Sequence, residues 1–155
     1  MARQMRRQDR KLDEKETLLV LKEAEYGILA TVGENQQPYA IPINFVYHDQ
    51  KIYLHCSSAG GMKIENIHYQ DEVCFTVVGK TKVQPEQFGT KYESAVCFGK
   101  IRLIEVQEKE EGLTYFLQKY SSDFMDAGKE YIKAAIQKVA VYVIDVEEFT
   151  GKAKK

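Results

Sequence analysis

Five residues with phosphate-binding chemistry fall close together in the stretch YLHCSSAGGMKIENI (53–67): Ser57, Ser58, Gly60, Gly61 and Lys63. A strand-like alternation stops at the serines, and a helix-like spacing begins just after the glycines. The two hydroxyls are hydrogen-bond donors, and glycine lets backbone amides approach a ligand closely. A helix that starts here would aim its free amides and the positive end of its dipole at the same point. Lys63 adds a full positive charge in the first turn. This is the chemistry of an anion cradle. Gly and Ser also dominate ordinary turns, so a plain strand-to-helix turn with a solvated lysine fits the same residues.

His55 lies two residues before Ser57 and shares a strand face with Tyr53, while Ile52, Leu54 and Cys56 point the other way. Its unperturbed pKa suits proton transfer near neutral pH, which makes it the candidate catalytic side chain. A hydrogen-bonded core histidine is the plain alternative. His48 reads as a turn residue and His68 as a helix-surface residue. The three histidines have no metal-ligand spacing, so no metal site is expected. There is no G-x-S-x-G elbow, no Walker loop and no paired-carboxylate pattern. Tyrosine and phenylalanine number 10 and 7, and tryptophan is absent. An aromatic-rich chain without a nucleophile suits a flat cofactor that carries the chemistry itself.

The chain has 155 residues and a formal net charge of −1, which fits one domain, 1–155, with a real core. Nearly balanced charge argues against nucleic acid as the main partner. The one basic cluster, MARQMRRQDRK (1–11), is short and interrupted by Asp9. No apolar run approaches the roughly 18 residues of a membrane-spanning helix, and no signal peptide is evident. Cys56, Cys74 and Cys97 are odd in number and set in strand-like runs. They read as three buried small residues in a reducing cytoplasm.

The elements that must position these residues follow from periodicity and turn chemistry. Asp13 caps a first helix, with Glu16 as the reciprocal partner. Strands are expected over 26–33, 39–48, 52–56, 72–79, 94–105 and 139–149. Helices are expected over 63–69, 108–120 and 127–138. HDQK (48–51) makes a hairpin turn. The segment 80–93 reads as a long polar loop, and the residues after 149 as a charged tail. About six strands joined mostly by short turns make a largely antiparallel sheet, curled into a small barrel decorated by helices.

Several segments together resemble the pyridoxamine 5'-phosphate oxidase-like FMN-binding split-barrel superfamily, and more closely its nitroimidazole-resistance-like branch. They are MRRQDR (5–10), PINFVY (42–47), IYLHCSSAGGMKIENI (52–67), YESAVCFGKIRLIE (92–105) and FTGKAKK (149–155). The resemblance implies a mainly β fold with helices, a six-stranded antiparallel split β-barrel. It also implies a homodimer with FMN at the subunit interface. Pro42, Ile43 and Asn44 would then line the isoalloxazine edge. His55, Ser57, Ser58 and Lys63 would approach the ribityl phosphate or the adjacent ring. Tyr92 and Ser94 would come from the neighbouring subunit. The implied activity is transfer of electrons from a reduced nicotinamide, through FMN, to a small electron-poor acceptor such as a nitroaromatic. A non-catalytic flavin binder and a haem-binding split barrel are the alternatives. True pyridoxamine-phosphate oxidases carry an Arg-x-His element near the C-terminus. This chain ends IDVEEFTGKAKK without one, which puts that substrate in doubt.

Overall fold

The computed structural model describes residues 3–155, so Met1 and Ala2 of the basic cluster lie outside the described residues. The first helix, α1 (Glu14–Glu23), begins with a complete capping box: Asp13 accepts the Glu16 amide at 2.7 Å, and Glu16 accepts the Asp13 amide at 3.1 Å. Strands β1 (Gly27–Val32), β2 (Pro38–Ile43), β3 (Val46–His48) and β4 (Lys51–Ser57) follow, then α2 (Met62–Tyr69). The chain continues through β5 (Glu72–Gln84), β6 (Gly89–Leu103), α3 (Val106–Tyr120), α4 (Met125–Ala135) and β7 (Val139–Lys154).

The seven strands form one antiparallel sheet in the order β2-β1-β5-β6-β7-β4-β3. Its two edge strands, β2 and β3, are consecutive in sequence and joined only through Asn44 and Phe45. The sheet therefore curls into a barrel that stays open along this one seam, the split of a split barrel. Asp49 and Gln50, at φ 47° and 60°, make the tight β3–β4 turn expected at HDQK.

Four expectations need correction. The stretch 39–48 is two strands, which makes seven instead of six. Phe45 is fully buried at the seam, and the chain turns there to cross from one sheet edge to the other. The supposed loop 80–93 is mostly ladder, with pairs running from Thr81↔Tyr92 to Gln84↔Gly89 and a turn only at Pro85–Gln87 and Phe88. Its polar composition reflects two water-exposed strands. The supposed charged tail is the end of β7, whose alternating lysines pair with β6 as far as Lys154. Of the cysteines, only Cys97 is buried; Cys56 and Cys74 are half-buried. Burial pushes the Cys97 thiol up to about 12, which keeps it protonated.

The barrel interior is filled by Leu29, Phe45, Ile52, Leu54, Phe75, Val77 and Ile144, each 2% exposed or less. Phe45 and Phe75 meet edge-to-face with centroids 5.0 Å apart. A second cluster lies on the outer face of β4 and β7, where Val141 and Val143 pack against Leu113 of α3 and Ile132 of α4. The outer face of β1, β5 and β6 has a different character. Register and alternation place Ile28, Ala30, Val32, Val78, Val96 and Phe98 there, half-buried or exposed. Water-facing sheet faces normally alternate to polar residues, and this one stays largely apolar.

Candidate functional site

The expected cradle forms where β4 gives way to α2. Gly60 and Gly61 both take positive φ, 97° and 124°, a backbone region that L side chains avoid. No atom lies within 4 Å of where a Cβ would stand on either glycine, so conformation, and not crowding, requires them. Gly61 is the N-cap of α2, and no side chain caps the helix. The first intrahelical bond runs from the Glu65 amide to Gly61 O at 3.0 Å. The amides of Met62, Lys63 and Ile64 are therefore left without helical acceptors and face out of the first turn. The structure brings half-buried Lys63 into that turn.

The two serines divide their work. Ser58 is tied to the scaffold, its amide and hydroxyl both donating to Lys138 O at 3.1 and 3.2 Å. Ser57 Oγ accepts the Ala59 amide at 3.2 Å, which keeps its own proton for another acceptor. Ser57 and Lys63 are thus the side chains poised for a ligand, and Ser58 anchors the loop that holds them.

His55 sits beside this cradle. Its ring packs edge-to-face on Phe116 of α3, with centroids 4.6 Å apart. The residue keeps exposed surface, yet this packing strips water from the ring and lowers its pKa below the ordinary 6.5, and the nearby Lys63 charge lowers it further. His55 is therefore mainly neutral at pH 7. His48 stacks on Tyr115 at 4.2 Å, and His68 is exposed on α2, so the three histidines do not converge. Among the described residues, no group of His, Cys, Asp and Glu could hold a metal ion.

Pro42 is exposed on the outer face of edge strand β2, whereas Ile43 turns inward against the core. Asn44 is committed within the chain, its Nδ2 donating to Glu25 O at 3.0 Å. Tyr92 and Ser94 lie away from the cradle on the outer face of β6, where the Arg10 guanidinium reaches the Tyr92 hydroxyl at 3.5 Å.

Sequence reasoning placed this helix but gave no role at the site to the C-terminal half of α3. Gly112, Phe116 and Tyr120 recur every four residues along one face of the helix. A Cβ on Gly112 would come within 3.1 Å of the Tyr53 ring, so glycine allows α3 to lie close on β4. Lys119 Nζ donates to Phe45 O at 2.9 Å and sits 3.9 Å from the centre of the Phe45 ring. Burial lowers this lysine to about 8. Tyr120 Oη accepts the Phe45 amide at 3.2 Å and donates to Glu25 O at 2.6 Å. These two side chains pin the seam. The four-residue spacing was visible in the sequence, but it looks the same as any core-facing stripe.

Tyr120→Phe is expected to leave the buried Phe45 amide without its acceptor and Glu25 O without one of its two donors. The expected cost is about 1–3 kcal/mol, read as a lower urea midpoint with an unchanged slope. An unchanged midpoint would show that the hydroxyl does not hold the seam.

The sequence model described as pyridoxamine 5'-phosphate oxidase matches residues 13–153, and the chain belongs to that family. Among solved structures, the chain is similar to one assigned as a 5-nitroimidazole antibiotic resistance protein from Bacteroides thetaiotaomicron. That match has 27% identity and a TM-score of 0.78, covering 94% of this chain and 90% of that one. It is also similar to a conserved hypothetical protein from Mycobacterium tuberculosis, at 16% identity and a TM-score of 0.81, covering 97% and 90%. A flavocytochrome from Azotobacter vinelandii matches at 20% identity and a TM-score of 0.76, covering 98% and 72%. The last two likenesses establish the fold alone. No curated protein matches the chain. Among the described residues, no helix is long and apolar enough to cross a membrane.

Proposed function

We propose that the protein binds FMN with its phosphate at the Ser57–Lys63 cradle and acts as an FMN-dependent oxidoreductase. It would take electrons from a reduced nicotinamide and pass them to a small electron-poor acceptor, such as a nitroaromatic. The observation that carries this reading is the uncapped start of α2. Three free amides, the Ser57 hydroxyl and the Lys63 ammonium are all carried by residues 57–64, around two positive-φ glycines. That donor set suits a dianionic phosphate. The solved structure at 27% identity is assigned to resistance against a nitroaromatic drug, which supports the acceptor class.

When bound, FMN supplies the two-electron redox chemistry. The protein supplies the surroundings. Lys63 and the α2 amides hold the phosphate end. The exposed Pro42 edge, with the Ile43–Asn44 backbone, lies along the seam that Tyr120 and Lys119 pin, which suits it to fix the ring's position. His55, held against Phe116, is placed to move a proton at its imidazole nitrogen.

The same reading makes the protein a homodimer. The apolar outer face of β1, β5 and β6 needs a cover, and a second copy of the same face provides one. Tyr92 and Ser94 lie on that face, where they would meet the partner's cofactor. Three free thiols suit a reducing cytoplasm.

Lys63→Ala tests the phosphate assignment. A half-buried, charge-assisted contact to phosphate is worth about 1.5–3 kcal/mol, so FMN affinity should fall on the order of 10- to 100-fold. Riboflavin, which lacks the phosphate, should bind as before. Equal weakening of both ligands would place Lys63 in the fold and not on the phosphate.

A further inference from the structure

The β5–β6 hairpin runs beyond the rest of the sheet. β1 pairs with β5 only over Cys74–Val77, and the β6–β7 ladder ends at Tyr92↔Lys154. Past that level the pairs Lys82↔Lys91, Val83↔Thr90 and Gln84↔Gly89 form a two-stranded arm with no strand on either side. At its tip Phe88 is 97% exposed and takes left-handed backbone angles, φ 50° and ψ 42°; Val83 is 68% exposed. Each feature is unfavourable for an isolated chain. A lone ribbon is marginal in water, a bulky side chain at positive φ is an outlier, and directly opposed lysines repel. An apolar receiver that also carries carboxylates would cover the exposed Phe88 ring and answer the opposed lysines together.

Such a receiver exists at the other end of the molecule. A groove of about 470 Å³ between the β1–β2 turn and α2 is lined by Glu34, Gln37, Met62, Glu65 and Tyr69. Met62 and Tyr69 are 55% and 51% exposed, and both glutamates are exposed. The arm cannot fill its own groove. β5 runs antiparallel to β1, so the arm projects past the start of β1, whereas the groove lies past its other end. The length of β5 puts the two roughly 40 Å apart at about 3.3 Å per residue. A two-fold axis across the strands would reverse their direction in the second copy, which is the arrangement that sets its groove against this arm. We propose that the hairpin arm, Lys82–Lys91, docks into the Glu34–Met62–Tyr69 groove of a second copy, with Phe88 inserted beside Met62 and Tyr69 and the lysines facing Glu34 and Glu65. This rests on the homodimer reading and names the contact that locks it.

The test uses the full chain and sedimentation equilibrium. Phe88→Ser removes a side chain that touches little in its own fold, so the monomer should fold normally. The dimer dissociation constant is expected to rise on the order of 10²-fold or more, because a two-fold dimer loses two buried aromatics, one from each arm. Glu65→Lys should weaken the dimer, and Lys82→Glu in the same chain should restore it. Chains carrying Phe88→Cys, mixed with chains carrying Met62→Cys, should be joined by a short bis-maleimide beyond the level given by either variant alone. A dimer whose dissociation constant ignores Phe88→Ser overturns the arm while sparing the dimer. A wild-type chain that stays monomeric overturns both. Weakening by Phe88→Ser without the mixed cross-link overturns the groove as the docking site.

Discussion

Replacing His55 with alanine is expected to lower nicotinamide-driven reduction of an acceptor by about 10²–10⁴-fold at saturating FMN. The size follows from the role: a positioned proton donor or acceptor acts in the reacting step, and excess cofactor does not replace it. Geometry supports the role, since His55 lies on the strand that leads into the cradle and is held by the Phe116 ring with centroids 4.6 Å apart. The pH profile adds a sign. Acting as a proton donor, His55 must be protonated, so its contribution falls as pH rises through its pKa. That pKa lies below the ordinary 6.5, because packing on Phe116 and the Lys63 charge both disfavour the cation. The wild type should therefore lose rate as pH rises through the His55 pKa of the FMN-loaded protein, where the phosphate on Lys63 offsets part of the lowering, and the variant should show no such limb. Wild-type rate and profile in the variant would make His55 a binding or packing residue.

Stability should prove most sensitive at the centre of the barrel. Phe75→Ala is expected to cost about 3–5 kcal/mol, the usual range for deleting a buried phenyl ring. Phe75 is fully buried and meets Phe45 edge-to-face, so the cavity would open directly behind the seam. Strands surround it, which limits collapse into the space. Urea unfolding should show a large drop in midpoint with a similar slope. A loss below about 1.5 kcal/mol would mean that the barrel repacks more freely than its tight interior suggests.

Much of the fold could be read from local chemistry. Asp13 and Glu16 announced the start of α1, and Ser-Ser-Ala-Gly-Gly announced the break before α2. Alternation in 26–33 and 52–56 set which side chains face the core. The errors arose where composition and environment diverge. A polar run at 80–93 resembles a loop, because nothing local distinguishes water-exposed paired strands from unpaired ones. The lysines after Phe149 hid a strand for the same reason. The run 39–48 alternates without interruption, so its crossing from one sheet edge to the other could not be seen locally; the crossing follows from closing the barrel around Phe45.

The candidate site divides along similar lines. The cradle residues are neighbours in the chain, so spacing alone brought Ser57, Gly60, Gly61 and Lys63 into view. Phe116, Lys119 and Tyr120 act on His55 and Phe45 from about 60 to 75 positions away in sequence. Tertiary packing makes those contacts, and no local pattern could reveal them. Ser58 shows the converse. Its type matched the cradle, but its hydroxyl serves the Lys138 carbonyl.

The central claim is that the strand breaks at Ser57–Gly61 to receive a flavin phosphate. Parallel titration of the purified protein with FMN and riboflavin, followed by absorbance and flavin fluorescence, tests it most directly. FMN should bind at about one per chain and much more tightly than riboflavin, because the free α2 amides, Ser57 and Lys63 address only the phosphate. Equal affinities for the two ligands would contradict the claim.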